Sequence, residues 1–207
     1  MRIDQESRAP IDATVGAALI AATQSALADA DACIVSDYGK GVISPELVAA
    51  VVEVARKRKI PVIVDPKRRD FSTYRGATVV TPNLAELEVA TGMRCSTTAE
   101  VVAAGTSLLA ALDGGAVLAT RGAAGMTLLR PNMEPVHTHA RALAVFDVTG
   151  AGDTVVSTLA LALAAGIDIT EAIDIASVAA GLVISKVGTA TVDTAELTAA
   201  MKGQISS

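Results

Sequence analysis

The sequence predicts an α/β fold, an open and mostly parallel sheet flanked by helices. Three observations carry this expectation. Short apolar runs without polar alternation, such as residues 32–36 (ACIVS) and 116–120 (AVLAT), fit strands buried on both faces. Longer segments with apolar residues at helical spacing fall between those runs, the alternation expected of β-α-β units. The composition is 51% hydrophobic yet only 2% aromatic. Its apolar content is therefore mostly Ala, Val, Leu and Ile, which suits helices packed closely on a sheet.

Each element has its own warrant. Residues 10–28 read as a helix with Val15, Ala18, Leu19, Ala22 and Leu27 on one side. After the strand at 32–36, Ser44 is a good N-cap and Pro45 suits the first helical position, so a helix runs from there to about Lys59. Residues 61–65 (PVIVD) are the next strand and close a β-α-β unit with short connections. A strand at 78–81, helices at 83–91 and 98–112, and the strand at 116–120 continue the alternation. Residues 125–130 and 135–139 read as two antiparallel strands around a turn at Pro131-Asn132. Helices follow at 152–165 and 170–186, then a short one from Thr194. Ligands of such sheets sit beyond the carboxyl ends of the strands, so functional residues are expected just after them.

The 207 residues suffice for one sizeable core, and no repeat or low-complexity linker divides them. The longest nearly uncharged apolar stretch, residues 155–167, is too short to span a bilayer, and no leader-like segment opens the chain. No membrane role is expected. Cys33 and Cys95 lie far apart without C-x-x-C spacing and read as reduced thiols of a cytoplasmic protein. The net charge is −5, and the one basic run, Arg56-Lys57-Arg58-Lys59, ends a helix where cations complement the dipole. No nucleic-acid partner is expected from it. His137 and His139 share one side of a strand but have no further ligand suitably placed, so zinc is not expected either.

The chemistry concentrates in Asp147-Val148-Thr149-Gly150-Ala151-Gly152-Asp153-Thr154, which follows the short run 142–146 and opens a long apolar helix. Small residues at Gly150, Ala151 and Gly152 let the backbone turn tightly and leave N–H groups open at a helix N-terminus, a ready anion site. A carboxylate beside an anion is odd unless it has a task of its own. Phosphoryl transfer supplies one: the amides stabilise charge on the moving group while Asp153 accepts the proton of the attacking hydroxyl. The other reading is that Asp153 only favours the helix start through the dipole.

A second pattern, Pro82-Asn83-Leu84-Ala85-Glu86, follows a strand and places Asn83 and Glu86 on one face of a first helical turn. By itself the pattern is weak and reads first as an N-cap with its capping-box partner. Thr120-Arg121-Gly122-Ala123-Ala124-Gly125 follows another strand, and by itself it offers an ordinary glycine turn between two strands. Lys40 and Lys67 each follow a strand and could meet phosphate as point charges, or lie solvated at the surface.

The 147–154 stretch resembles the second signature of the PfkB family of sugar kinases, and no P-loop pattern competes with it. The resemblance implies Asp153 as catalytic base and the Gly150, Ala151 and Gly152 amides as anion hole. Asn83-Leu84-Ala85-Glu86 resembles the family's N-x-x-E element, whose Glu acts through water on the Mg²⁺ that accompanies ATP. One carboxylate suffices, because Mg²⁺ commonly keeps several waters. Thr120, Gly122 and Gly125 match the family's T-x-G-x-x-G stretch along the nucleotide.

Further stretches are similar to bacterial heptose 7-phosphate kinases: Ser36-Asp37-Tyr38-Gly39-Lys40-Gly41, Asp65-Pro66-Lys67 with Asp70-Phe71 and Tyr74-Arg75-Gly76-Ala77, and Lys186 to Val192. Arg2-Ile3-Asp4 resembles the end of that family's lid. This implies a phosphorylated sugar as acceptor, with Asp37, Lys40 and Lys67 on the substrate side.

The resemblance also implies a ribokinase-like fold in which residues 1–207 are the C-terminal, nucleotide-binding portion of one kinase domain. The family's N-terminal strands, glycine-rich sugar segment and lid would precede Met1. A homo-oligomer, or a partner supplying that half, is therefore expected. The rival expectations are a non-catalytic nucleotide-binding remnant or interaction module, and a PfkB kinase for another sugar. Ser157 stands where the family usually has Gly, and Ser177 where related kinases often carry Asn.

Overall fold

In the structure, a computed structural model, residues 9–140 and 148–205 are described. The run at 142–146, Asp147 and Arg2-Ile3-Asp4 lie outside the described residues. Helix α1 (Ala13–Ala26) leads into strand β1 (Cys33–Ser36), helix α2 (Pro45–Arg58) and strand β2 (Val62–Asp65). A single 3-10 turn, Phe71–Tyr74, precedes β3 (Val79–Val80). Helices α3 (Leu84–Thr91) and α4 (Thr98–Leu112), then β4 (Ala116–Thr120), β5 (Met126–Leu129) and β6 (Val136–Thr138), complete the sheet. Helices α5 (Ala151–Ala164), α6 (Ile169–Ile184) and α7 (Thr194–Ile205) follow.

The strands lie in the order β1-β2-β3-β4-β5-β6. The first four are parallel, and β5 and β6 join antiparallel. The open, mostly parallel sheet expected from sequence is thus present, with the antiparallel pair at its far edge. Each crossover moves one strand in the same direction. Such crossovers are right-handed, so their helices fall on one face.

The strands explain why their runs are unbroken. Val62, Val64, Val80, Val117 and Ala119 point into one apolar cluster with α2, α3 and α4. Their neighbours Ile63, Val79, Ala116 and Leu118 point into a second cluster with α5 and α6. A period-two backbone buried on both faces needs apolar residues at every position, and each fully buried Val, Leu or Ile contributes about 1.5–3 kcal/mol.

Helix ends match their local signals. The Ser44 hydroxyl accepts the Leu47 N–H at 3.2 Å, Pro45 opens α2, and Lys59 closes it with φ 58°. The basic run is engaged within the chain: Arg56 with Asp113 at 3.3 Å, Lys57 with Glu53 at 2.6 Å, and Arg58 with the Leu27 and Ala30 carbonyls. Cys33 and Cys95 are free thiols. Among the described residues no helix is long and apolar enough to cross a membrane.

Candidate active site

The parallel strands deliver their following residues to one end of the sheet. Asp65 ends β2 and Lys67 follows it, Thr81 and Asn83 come after β3, and Thr120 ends β4 with Gly122 and Gly125 beyond it. The N-terminus of α5 arrives from the opposite face with Ala151, Gly152 and Asp153. Together they line a cleft of about 780 Å³. Its charged wall comes from β2 and α3. Its apolar wall comes from β5, α5 and α6, through Met126, Val155, Val156, Ala180 and Ile184.

At α5 the cap is Gly150, with φ 83° and ψ −2°, a left-handed conformation that favours glycine. It has no side chain with which to cap, so the first-turn amides receive none from it. Among the described residues, a Cβ added at Gly152 would meet nothing within 4 Å. Packing against the described residues therefore does not require glycine there, although glycine in a helix costs about 1 kcal/mol against alanine. The missing side chain leaves the approach to the helix N-terminus open. Asp153, exposed, sits in that first turn.

Gly125 is a different case. With φ 82°, its Cβ would lie 1.9 Å from the Thr138 carbonyl oxygen, so close strand approach alone demands glycine. The Thr120–Gly125 loop closes on itself, the Arg121 N–H donating to the Gly125 carbonyl at 2.8 Å.

Glu86 carries two tasks at once. Its Oε2 accepts the Asn83 N–H at 2.9 Å, and Asn83 Oδ1 accepts the Glu86 N–H at 2.9 Å, a complete capping box. Its other oxygen, Oε1, accepts from the Lys67 ammonium. The Glu86 side chain is 14% exposed and that of Lys67 41%, so the pair lies on the cleft wall. Burial pushes the Lys67 ammonium down, but the hydrogen bond and charge of Glu86, with Asp65, outweigh it and hold the group above its usual range.

Asp65, on the same wall, titrates above the usual carboxylate range. Burial is the main cause; Lys67 offsets part of it, and the charges of Glu86, Asp153 and Asp37 add to it.

Asp37 does not line the cleft. It is 1% exposed, and its carboxylate accepts from the Gly39 N–H at 2.7 Å, Arg68 Nε at 2.7 Å and the Tyr74 hydroxyl at 2.9 Å. Burial first, then the Asp37 charge, pushes the Tyr74 phenol well above its usual range, so it remains a donor. A buried carboxylate supplied with a guanidinium and two further donors is a structural anchor under the site. It ties the loop after β1 to the loop after β2.

Of the residues expected from sequence, Asp153, Ala151, Gly152, Asn83, Glu86, Thr120, Gly122, Gly125 and Lys67 converge on the cleft. Gly150 caps α5 just behind it. Leu84 packs against the core and Ala85 is exposed, because helical twist turns them away from the face that Asn83 and Glu86 share. Lys40 is exposed, its ammonium 5.8 Å from the Tyr38 ring centroid, and is not on the cleft wall. Sequence reasoning missed Asp65 and Thr81 as wall residues, although each ends or follows a strand run. Ser177, noted only as a departure, lines the cleft and donates to the His139 carbonyl at 3.0 Å. His137 faces Thr127, with Nδ1 3.0 Å from its hydroxyl.

Comparison with known proteins adds to this geometry. A family model described as pfkB family carbohydrate kinase matches residues 7–195. The bifunctional protein HldE of Caulobacter vibrioides is 50% identical over 200 residues, covering 96% of this chain and 41% of that protein. HldE of Pseudomonas aeruginosa is 49% identical over 202 residues, covering 98% of this chain and 41% of that protein. The chain thus spans about 41% of the length of these relatives. Among solved structures, Arabidopsis thaliana ribokinase complexed with ribose and ATP is similar, with TM-score 0.75 and 24% identity over 86% of this chain and 58% of that one. Escherichia coli phosphofructokinase-2 in complex with potassium has TM-score 0.73 and 16% identity over 89% of this chain and 61% of that one. At these identities the two structures speak to the fold.

Proposed function

The chain belongs to the pfkB family of carbohydrate kinases, and on that premise we propose that it serves transfer of the ATP γ-phosphoryl group to a hydroxyl of a phosphorylated sugar, of the heptose 7-phosphate type. One observation carries the reading: the α5 N-terminus, opened by Gly150 and Gly152 and bearing Asp153, faces the Glu86–Lys67–Asp65 wall across one cleft. The first-turn amides bind and stabilise phosphoryl oxygens. Asp153, at the mouth of that amide site, takes the proton from the attacking hydroxyl. Lys67 meets phosphate as a point charge. The apolar wall from Met126 to Ile184 suits a nucleobase. Asp37 supports this arrangement from beneath, holding the loops that carry Lys67 and Tyr38.

The donor set fits Mg²⁺: Glu86 and Asp65 offer oxygen ligands on one wall, and a Mg²⁺ ion held through water needs few of them. When bound, the ion would neutralise phosphate charge. The similarity to HldE favours heptose phosphate over other sugars and a cytoplasmic setting.

A phosphotransfer assay with ATP and a panel of sugar phosphates tests the reading. Transfer to heptose 7-phosphate above all others is expected. ATP binding without transfer to any sugar would instead favour a nucleotide-binding module, and preference for another sugar would move the substrate assignment.

Association belongs to the same proposal. Among the described residues strand β1 pairs only with β2, and Ile34 on it is 44% exposed. An open edge with an apolar side chain pairs readily with another strand. Sedimentation should show self-association that Ile34→Lys weakens; a monomer in both forms would discard it.

A further inference from the structure

Glu86 is the carboxylate assigned above to the magnesium ion, yet both its oxygens are already in use. Oε2 holds the Asn83 N–H at 2.9 Å, and Oε1 holds the Lys67 ammonium. The cap does not require Lys67, because the reciprocal Asn83–Glu86 bonds complete it alone. Lys67 therefore has another reason to be there. Asp37 is neutralised by Arg68, whereas Asp65 and Glu86 share Lys67.

The two cations differ in mobility. Arg68 is pinned at both ends of its guanidinium, by Asp37 and by the Ile43 carbonyl. Lys67 is fixed at its backbone, where its N–H donates to the Tyr74 hydroxyl at 3.3 Å. Its ammonium ends a flexible four-carbon stem that can pivot between oxygens. The Lys67 side chain is 41% exposed at the cleft surface, so water and an incoming ligand reach its ammonium although Glu86 is largely covered.

We propose that Lys67 is the resting counter-ion of Glu86, and that it moves from this carboxylate to a phosphate oxygen of the bound ligand when a divalent cation enters beside Glu86. The inference rests on the kinase reading and deepens it. It makes cation and phosphate binding mutually dependent. A divalent ion alone must displace Lys67 with nothing to receive it, whereas a phosphate gives the ammonium a new partner and frees Glu86. By linkage each then strengthens the other. The ion and the phosphate ligand enter together.

The test is Mn²⁺ binding to the nucleotide-free chain, read from the electron-spin resonance signal of the free ion. Lys67→Met should bind Mn²⁺ on the order of tenfold more tightly than the wild type, because the guarding charge is gone. Adding Glu86→Gln to that variant should abolish the gain. Lys67→Gln serves as a second variant if the methionine form fails to fold, and thermal melting checks each. Unchanged Mn²⁺ affinity in a folded Lys67 variant would overturn the proposal, as would a gain that survives Glu86→Gln. ATP binding on the same samples is read separately. Its absence from the wild type would remove the kinase reading, while the Mn²⁺ comparison would still decide whether Lys67 guards Glu86.

Discussion

Helices α3 and α5 both begin at the cleft, and each carries a carboxylate three residues after its cap. At α3 the cap is Asn83 and the acid Glu86; at α5 the cap is Gly150 and the acid Asp153. The outcomes are opposite. Glu86 folds back onto the Asn83 N–H and is gripped by Lys67. Gly150 offers no capping side chain, and among the described residues no hydrogen bond ties down the Asp153 carboxylate. One helix start is satisfied by its own side chains. The other is left open to a ligand. The same acidic position is thus tied into the helix cap in one place and left without a capping partner in the other, and the cap residue decides which.

The most severe test of that contrast is Asp153→Asn. It should lower kcat by on the order of 10²–10⁴-fold, the usual cost of losing a general base, with ATP affinity unchanged. Near-normal turnover in a phosphotransfer assay would return Asp153 to the role of a helix-start residue. Next in size is Asn83→Ala, which removes half of the capping box. Chemical denaturation should show a loss of about 0.5–2 kcal/mol. No loss would mean that α3 does not depend on its cap.

Gly152→Ala sharpens the comparison from the other side. Its new Cβ meets no atom of the described residues within 4 Å, so the helix should gain about 0.4–1 kcal/mol. ATP binding should weaken in the same variant, because the methyl group intrudes on the anion site. A variant both more stable and equally good at binding ATP would show that the opening has no ligand role.

The smallest effect concerns Asp65, between the two helices. Its folded carboxyl titrates above the unfolded value, chiefly through burial. The folded state therefore holds the proton more tightly. That contribution is complete below the unfolded pKa and is lost as pH rises through the folded one. Asp65→Asn should accordingly be more stable than the wild type at neutral pH, and the gap should close as pH falls to the acid side of the ordinary carboxylate range. Urea midpoints at several pH values measure it; a gap that widens in acid would reverse the assignment.

Much of the fold is legible in the amino-acid sequence. The helix at 98–112 and the strand at 116–120 match their expected bounds, because local periodicity and caps act within a few residues. The turn at Pro131-Asn132 is there too, Asn132 having φ 57°. The 3-10 turn Phe71–Tyr74 is not legible, since four residues carry too little periodicity to read. In the site, the glycine motif and the Asn83–Glu86 pair announce themselves as contiguous patterns. For Asn83 and Glu86 the capping and ligand readings look like alternatives in the sequence, yet the two oxygens of Glu86 divide between the cap and Lys67.

The sequence by itself determined the order of strands and helices, the family signature around Asp153 and the capping residues, all of them short-range properties. Only the tertiary structure decided which side chains meet across the chain. Lys67 and Glu86 are 19 positions apart, Asp37 and Arg68 31, and Asp37 and Tyr74 37. Such pairs depend on which strands lie side by side and at what register. The β1-β2 and β2-β3 pairings bring the ends of three strands together, and burial then forces the carboxylate of Asp37 to find its donors beneath the cleft rather than within it.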